Sequence, residues 1–516
     1  MPRWFNTAGP CTPANHYMLP AMKRLPEVQR LIDQQGYFVV HAPRQTGKTT
    51  ALLSLAQELN AGGKHVAALV SMEVGAAFSH DVGTAESAIL QSWLSAARAQ
   101  LPPEHQPPPV SEAPTGSRIA TALAAWSEAV AKPLVVFLDE VDALQNGLLI
   151  SVLRQLRDGY RNRPGHFPAS LALIGLRDVR DYKVATGDSD RPGTASPFNI
   201  KVRSLTLRDF TEDEVAELYA QHTAETGQRF EPEALALAFE LTQGQPWLVN
   251  ALAKVVVEEL VPDTSQPVRR ADVERAKGLL IQRQETHLDS LAVRLREPRI
   301  RAVLEPMLAG GLLGDVAEDD RRFAVDLGLL RRNPEGTLEV ANPIYREILI
   351  RTLASGTRDT LPTIQPSWLK PDGRIDTERL RDAFLAFWRQ HGEPLLATAP
   401  YHEVAPHLVL MAFLHRVVNG GGTIEREYAI GRGRMDLCVR HGPDTLAIEI
   451  KVWRDREPDP LAEGLTQLDG YLEGLGQPSG WLVLFDRRSG QPPIAQRTRT
   501  EEARTPSGRP VTVIRA

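Results

Sequence analysis

Cysteine is scarce in this 516-residue chain, which contains two, Cys11 and Cys438. So few cysteines exclude a disulfide framework and a zinc cluster held by cysteines, and they favour a reducing cytoplasm. The chain also lacks an apolar run near the roughly twenty residues that cross a bilayer. Its first residues lack the apolar core of a signal peptide. We therefore expect a cytoplasmic protein that does not enter a membrane.

An excess of positive charge is lacking as well. The formal net charge is -5 at pH 7, which argues against a broadly basic nucleic-acid-binding protein but leaves room for a local basic groove. The apolar and charged fractions are ordinary for soluble globular protein. The length predicts about three or four domains.

The segment 37–50, YFVVHAPRQTGKTT, is the most informative in the chain. An apolar run precedes a short loop and a helix-forming run follows, which is the context of a phosphate-binding loop. In such a loop backbone N–H groups bind phosphate, the lysine reaches the β- and γ-phosphates, and a hydroxyl completes the coordination of Mg²⁺. Ala42 replaces the first glycine of the motif, which we expect to strain the turn more than the chemistry. The predicted nucleotide-binding residues are Gln45, Thr46, Gly47, Lys48, Thr49 and Thr50.

A second segment, 134–142 (LVVFLDEVD), predicts a buried parallel strand that ends in carboxylates. Ligands of open α/β sheets lie beyond the carboxyl ends of the strands. We therefore expect Asp139 to hold Mg²⁺ through water and Glu140 to polarise the attacking water. Together the two segments predict a domain that binds and hydrolyses ATP.

The first 205 residues alternate strand and helix, which predicts a doubly wound parallel sheet. The predicted strands are 37–41, 65–72, 134–139, 170–175 and 199–204, and the predicted helices are 49–60, 84–100, 117–130 and 146–162. The segments 102–114 and 186–197 are rich in turn-forming residues and predict surface loops.

From residue 206 the pattern becomes helical. Thr211 and Glu214 have the spacing of a capping box, and Gly244-Gln245-Pro246 separates two apolar helices. Residues 286–354 predict helices with a hairpin, in a winged-helix-like domain. Its arginines, Arg321, Arg322, Arg331 and Arg332, fit DNA phosphate contacts or, equally, a solvated surface of a protein-binding module. Residues 355–372 predict a linker.

The C-terminal region predicts a second catalytic site. Strands are expected at 423–430, 434–440 and 445–452, with Asp436 on the second strand and Glu449 and Lys451 on one face of the third. Two carboxylates and a lysine of this kind bind Mg²⁺ and activate water for attack on a phosphodiester. A helix with Gln467 and Tyr471 and a strand at 481–485 follow, and an earlier helix with Glu403 could add a third acid. This order matches the PD-(D/E)xK nuclease fold.

With these motifs the chain resembles AAA-like, STAND-related P-loop ATPases that carry a C-terminal PD-(D/E)xK nuclease-like domain. The resemblance rests on HAPRQTGKTT, LVVFLDEVD, GQPWLVNAL, ANPIYREIL and GRGRMDL…IEIK. It implies that a G-x-P element containing Pro246 lies near the nucleotide. It also implies a γ-phosphate sensor after the strand at 170–175, a position at which Arg177 fits, although an ion pair with Asp178 fits equally.

The predicted fold class is α/β, a P-loop NTPase with a doubly wound parallel sheet and a C-terminal α/β restriction-endonuclease-like domain. The predicted domains are the ATPase core (1–205), a helical lid (206–285), the winged-helix-like domain (286–354), the linker (355–372) and the nuclease-like domain (373–516).

Two functions fit this organisation. The first is an ATP-regulated, Mg²⁺-dependent DNA endonuclease, acting as a homo-oligomer in defence or in the control of mobile elements. The second is a nucleotide-gated interaction switch whose nuclease-like domain only binds nucleic acid or protein, with the winged-helix-like domain as a possible protein contact. A slow ATPase for which ATP is a structural ligand is a third possibility, because of Ala42.

Overall fold

The structure is a computed structural model. It describes residues 3–109, 112–176, 200–283, 288, 294, 297–308, 316–333, 336–349, 368–370, 372, 374–398, 409–411, 413–414, 422–430, 433–441 and 443–516. The chain divides into two compact units. Unit 1 comprises Met1–Asp289 with Arg321–Ile344, and unit 2 comprises Ser290–Asp320 with Tyr345–Ala516.

Unit 1 is built on a five-stranded sheet in which every pairing is parallel, with strand order β2-β3-β4-β1-β5. Strands β2, β3 and β4 are almost wholly buried because helices cover both faces, which explains their continuous apolar sequences. The strands are β1 (Tyr37–His41), β2 (Val66–Ser71), β3 (Leu134–Asp139), β4 (Ser170–Gly175) and β5 (Arg203–Thr206).

Helices pack on this sheet through two apolar clusters, one on each face. One cluster includes the buried Trp93 and Trp126, and the other includes Leu52 and Leu55 of the helix that follows β1. The helices of this region are α1 (Ala21–Arg24), α2 (Val28–Asp33), α3 (Lys48–Ala61), α4 (Val82–Gln100), α5 (Arg118–Ala129) and α6 (Asn146–Gly159).

A helical region follows the sheet in unit 1. Its first helix begins with the predicted capping box, since Glu214 N–H donates to Thr211 Oγ1 and Thr211 N–H donates to the Glu214 carboxylate. The break at Gly244 is fixed by a close approach: a Cβ there would lie 1.9 Å from Phe210 O, and φ is +77°. The helices are α7 (Glu212–Thr226), α8 (Pro232–Thr242), α9 (Pro246–Val255) and α10 (Arg270–Arg283).

The predicted hairpin is present as β6 (Leu330–Arg332) and β7 (Leu338–Val340), which pair antiparallel. It belongs to unit 1, whereas α11 (Pro298–Leu308) and most of the helical residues 343–349 belong to unit 2; α12 (Glu318–Asp326) spans the boundary. The segment predicted as one winged-helix-like domain is therefore shared between the two compact units.

Unit 2 contains a six-stranded mixed sheet of order β12-β13-β11-β10-β9-β8. Helix α14 connects the parallel strands β10 and β11, and its residues Leu468 and Leu472 pack on one face of the sheet. On the other face Trp388 of α13 packs against Phe485, with ring centroids 5.0 Å apart. The strands are β8 (Gly422–Ile430), β9 (Gly433–His441), β10 (Asp444–Trp453), β11 (Gly480–Asp486), β12 (Arg499–Arg504) and β13 (Pro510–Arg515). The helices are α13 (Thr377–Thr398), α14 (Leu461–Leu475) and α15 (Ile494–Arg497).

Most predicted strands lie within two residues of their expected places, but β5 begins at Arg203 rather than at 199. Strands β12 and β13 were not predicted, and their strongly polar sequence RTEEAR explains the omission of β12. The predicted loop at 186–197 and most of the linker, 355–367, lie outside the described residues.

Candidate functional site

The loop between β1 and α3 has the backbone shape of an anion-binding nest. Gly47, which caps α3, has φ +78°, and Gln45 has φ +63°. Thr46 is buried, and its hydroxyl donates to Pro43 O at 2.9 Å. These conformations turn successive N–H groups toward the helix N-terminus, where phosphate binds.

At Ala42, where the sequence predicts a strained turn, the backbone is not in the left-handed region. Its φ is negative, and it is buried against the sheet, where its N–H donates to Gly175 O at 3.3 Å. A glycine is not needed at this position, because the positive φ values fall later in the loop, at Gln45 and Gly47.

The side chain of Lys48 spans the loop. Its Nζ donates to Ala42 O and Pro43 O, both at 2.8 Å. Burial lowers the pKa of Lys48, and the carboxylates of Glu140, Asp142 and Asp139 act against this effect. A half-buried ammonium of this kind gains free energy from a phosphate placed at the loop.

The predicted magnesium residues are brought together. Thr49 Oγ1 donates to Asp139 Oδ2 at 2.8 Å, across 90 residues of sequence. The other carboxylate oxygen of Asp139 accepts from Glu140 N–H at 2.9 Å. Burial raises the pKa of Asp139. A hydroxyl and a carboxylate in contact at the end of a parallel strand are a donor pair that fits Mg²⁺.

Glu140 has a left-handed backbone, with φ +56° and ψ +40°. Such a conformation is unfavourable for glutamate and is found where the surrounding structure enforces it. Burial raises the pKa of Glu140, and the neighbouring carboxylates Asp139 and Asp142 raise it further. A carboxyl with a raised pKa is a better proton acceptor at neutral pH.

The helical region of unit 1 contacts the phosphate loop directly. Gln245 Nε2 donates to Gln45 O at 3.2 Å, while Gln245 Oε1 caps α9 by accepting from Leu248 N–H at 2.6 Å. Pro246 occupies the first turn of α9, so it supports this cap without itself reaching the loop in a hydrogen bond. The G-x-P element, which the resemblance implies to lie near the nucleotide, therefore contacts the loop through the side chain of Gln245.

The hairpin also touches the loop. A Cβ at Gly328, which precedes β6, would lie 2.6 Å from Pro43 Cβ, so the backbone at Gly328 lies close against the ring of Pro43. In the same hairpin Arg331 donates to Gln243 Oε1 at 2.5 Å and pairs with Glu339 at 2.6 Å.

No sequence motif predicted that Arg24 would lie near the phosphate loop. Its guanidinium is buried, donates to Arg208 O at 2.8 Å and 2.5 Å, and lies 4.9 Å from the Phe210 ring centroid. Burial lowers the pKa of Arg24 to about 10. Its Nη1 lies 3.7 Å from where a Cβ on Gly47 would be, which brings a second cation to the phosphate loop.

The N-terminal segment borders the same region. Cys11 N–H donates to Thr50 Oγ1 at 3.0 Å, so the Thr50 hydroxyl is engaged by this segment. Trp247 Nε1 at the start of α9 donates to Thr7 O at 2.9 Å. The start of α3 and the start of α9 are thus bridged by residues 7–11.

A second cluster lies on the face of the unit 2 sheet that packs against α14. Lys451 Nζ lies 3.2 Å from Glu449 Oε1 and 3.3 Å from Glu463 Oε1, and it donates to Gln467 Oε1. Glu449 is 2% exposed, and the intervening Ile450 is buried toward the opposite face. The predicted residues Glu449, Lys451 and Gln467 are thus brought together, and Glu463 was missed.

Asp436 lies on β9, and its side chain is outside the described part of the structure. It directly precedes Leu437, whose Cα partner across the antiparallel ladder is Ile448, and Glu449 directly follows Ile448. The ladder between β9 and β10 ends at this pair, and Asp436 and Glu449 are the residues directly beyond it on the two strands. Arg177 and Glu403 also lie outside the described residues.

Among the residues that the structure describes, no group of three or more His, Cys, Asp or Glu side chains is arranged to hold a metal ion. None of the helices within the described ranges combines the length and apolar character that crossing a membrane requires.

No family model and no curated protein sequence matches the chain. Among solved structures it is similar to a Walker-type ATPase of Pyrococcus abyssi, with 14% identity, 67% of this chain and 99% of that chain covered, and a TM-score of 0.45. It is also similar to the Thermotoga maritima RuvB Holliday junction branch migration motor, with 15% identity, coverage of 63% and 92%, and a TM-score of 0.35. The corresponding values for Cdc6p from Pyrobaculum aerophilum are 12%, 66%, 96% and 0.37.

The parallel sheet of unit 1, with the phosphate-binding loop between β1 and α3, defines the class: an α/β P-loop NTPase fold.

Proposed function

We propose that unit 1 binds ATP and hydrolyses it at the loop between β1 and α3. The observation that carries the proposal is the hydrogen bond from Thr49 to Asp139, since it joins the loop to the acidic end of β3. Lys48 and the N–H groups of 45–50 bind the phosphates. Thr49 and Asp139 would hold Mg²⁺, which neutralises phosphate charge. Glu140 positions the attacking water and accepts its proton.

The test of this site is ATP binding and turnover by Lys48→Ala. Removing the ammonium should abolish measurable turnover and weaken ATP binding by at least about tenfold, because the β- and γ-phosphates lose their charge partner. Lys64→Ala, at an exposed lysine beyond the same helix, is the matched control. Equal turnover by the two variants would remove the loop from the mechanism.

We further propose that unit 2 is a Mg²⁺-dependent DNA endonuclease governed by the ATP state of unit 1. The Glu449–Lys451–Gln467 cluster supports this, because a buried carboxylate beside a lysine on a strand suits the activation of water at a phosphodiester. Asp436 and Glu449 would hold the metal, and Lys451 would stabilise the developing negative charge. Homo-oligomerisation would allow two such sites to cut both strands.

Replacing Asp436 by Ala should abolish cleavage of DNA while ATP turnover continues, because the two sites use different residues. Cleavage that persists in this variant would overturn the site assignment. A chain that binds DNA or a protein partner tightly without Mg²⁺ and never cuts would instead be a nucleotide-gated interaction switch.

A further inference from the structure

Three arginines meet at the carboxyl end of the central strands of unit 2. Arg454 directly follows β10, Arg487 directly follows β11, and Arg497 is the last residue of α15. The two strand ends are fastened together, because Arg487 N–H donates to Trp453 O at 2.8 Å. The backbone positions of Arg454 and Arg487 are therefore fixed with respect to each other.

Further hydrogen bonds make this edge of the sheet rigid. Asp455 accepts from the N–H and the hydroxyl of Ser489, at 3.0 and 2.8 Å, and so ties the two turns together. Thr498, next to Arg497, donates its hydroxyl to Ile494 O at 2.7 Å, and its carbonyl accepts from Arg389 at 2.9 Å. The guanidinium groups thus extend from anchored backbone.

The side chains of Arg454 and Arg497 both lie close enough to Arg487 to act on its charge. Burial lowers the pKa of Arg487, and the positive charges of Arg497 and Arg454 lower it further. Arg497 Nε is buried without a hydrogen-bond partner among the described residues. Like charges brought this close, with a buried donor among them, are unfavourable until an anion joins them.

Two neighbouring arginines of unit 2, by contrast, form ion pairs with carboxylates. Arg488 bonds Asp486 at 2.7 and 2.9 Å, and Arg515 lies 2.8 Å from Glu501 and 3.0 Å from Asp459. Within the described residues, no carboxylate oxygen lies within 4 Å of the guanidinium groups of the three clustered arginines.

Carboxylates near the cluster make hydrogen bonds to other residues, and Arg497 lowers the pKa of one of them, Asp486, through its charge. Asp486 is held by Arg488, Asp455 by Ser489, and Glu393 accepts from Ile494 N–H at 3.1 Å. Among the described residues the three guanidinium groups therefore lie at one edge of the sheet without an ion pair of their own.

We propose that Arg454, Arg487 and Arg497 form a binding site for the backbone phosphates of a nucleic acid. The planar guanidinium fork matches the oxygens of a phosphate, and an edge with several such forks can hold adjacent phosphates. Strand geometry places Arg454 about 16 Å from Glu449 along β10, roughly half a turn of duplex DNA. The choice of nucleic acid rests on the proposed nuclease function, whereas affinity for phosphate does not.

The test measures binding of labelled duplex DNA, single-stranded DNA and RNA to the full chain over a salt series, in EDTA so that metal-dependent cleavage cannot interfere. Arg454→Gln/Arg487→Gln/Arg497→Gln should reduce affinity at least about tenfold and make the salt slope shallower by roughly two to three units, one per lost phosphate contact. The charge-matched control is Arg379→Gln/Arg381→Gln/Arg504→Gln, at arginines elsewhere in unit 2, which should bind as the parent does.

Arg454→Lys/Arg487→Lys/Arg497→Lys, together with thermal unfolding of all variants, separates loss of binding from loss of fold. It should keep the salt slope and lose part of the affinity, because lysine keeps the charge but not the fork. Equal losses in the clustered and control triples, or no loss in either, would overturn the proposal.

Calorimetry with inorganic phosphate distinguishes a nucleic-acid ligand from a small phosphate compound. Every protein in this experiment also carries Lys48→Ala, so that the unit 1 loop does not contribute to the binding. If the clustered triple loses phosphate binding but binds nucleic acid unchanged, the nucleic-acid assignment is overturned and the ligand is a small phosphate compound. Loss of DNA binding in a chain that never cuts DNA would support this site while refuting the nuclease function.

Discussion

At the scale of single residues, the most specific feature is the strained backbone of Glu140. Its left-handed conformation and its contact with the Asp139 carboxylate through its N–H place the side chain at the end of β3. Sequence predicted the role from the acids that follow an apolar strand. The conformation could not be predicted, because glutamate seldom adopts positive φ and nothing in LVVFLDEVD marks it.

Glu140→Gln should retain ATP binding and lose hydrolysis by about 10²- to 10⁴-fold, because the amide keeps the shape but accepts no proton. Because burial and neighbouring carboxylates raise the pKa of Glu140, turnover of the parent should fall on acidification at a pH above that of an ordinary glutamate. The measurement is a pH profile of turnover, with Glu104→Gln, at an exposed carboxyl elsewhere in unit 1, as the control. Unchanged turnover in Glu140→Gln would exclude it as the base.

A second residue-scale prediction concerns the stability of unit 2. Asp469 accepts from Ser507 N–H at 2.9 Å and from Arg509 at 2.7 Å, and although burial acts against them, these bonds lower the pKa of Asp469 to about 2. The stabilisation is complete above the ordinary aspartate value near 3.8 and is lost as the pH falls through about 2.

Asp469→Asn should therefore cost about 1 to 2 kcal/mol of unfolding free energy at neutral pH, and this difference should vanish toward pH 2. Calorimetric unfolding of the full chain at several pH values measures it. Glu473→Gln, an exposed carboxyl on the same helix, should show no such difference. A cost independent of pH would mean that the ionised carboxylate is not the stabilising group.

At the scale of elements, buried strands were predictable and polar edge strands were not. The strands β1, β3 and β4 are continuous apolar runs, which a parallel sheet covered on both faces requires. Strand β12 has mostly exposed, charged residues, so its sequence carries no strand signal. Contacts between distant segments, such as Gln245 with Gln45, leave no local pattern at all.

The approach of Gly328 to Pro43 gives a prediction about the link between the hairpin and the phosphate loop. Gly328→Ala would place a Cβ 2.6 Å from Pro43 Cβ, so the loop turn or the hairpin must move, at a cost of about 1 to 3 kcal/mol. We expect ATP affinity to weaken by about tenfold. The measurement is an ATP titration at constant temperature.

Gly336→Ala, in the turn between β6 and β7, is the matched control. Its φ is +83° and that of Gly328 is +76°, but nothing lies within 4 Å of its added Cβ. Both variants share the cost of a strained backbone, about 1 kcal/mol, so only Gly328→Ala tests the contact. Equal ATP affinities in the two variants would show that the hairpin does not influence the loop.

At the scale of the whole molecule, the chain joins two compact units, each with its own arrangement of chemically active residues. In unit 1 a hydroxyl, a lysine and two acids converge from segments about ninety residues apart, as the sequence motifs led us to expect. In unit 2 the buried Glu449 and Lys451 share one face, as the alternation of a strand predicts. Their neighbour Glu463 and the arginine cluster became visible only through the packing of α14 and the alignment of strand ends.

The most direct measurement is cleavage of plasmid, linear and single-stranded DNA with Mg²⁺, with and without ATP, by the parent chain and by Lys48→Ala and Glu449→Gln. We expect cutting that requires ATP and is lost in both variants. Cutting that survives Glu449→Gln would contradict the unit 2 site, and cutting indifferent to ATP would contradict its control by unit 1. If no substrate is cut under any condition, the endonuclease proposal fails.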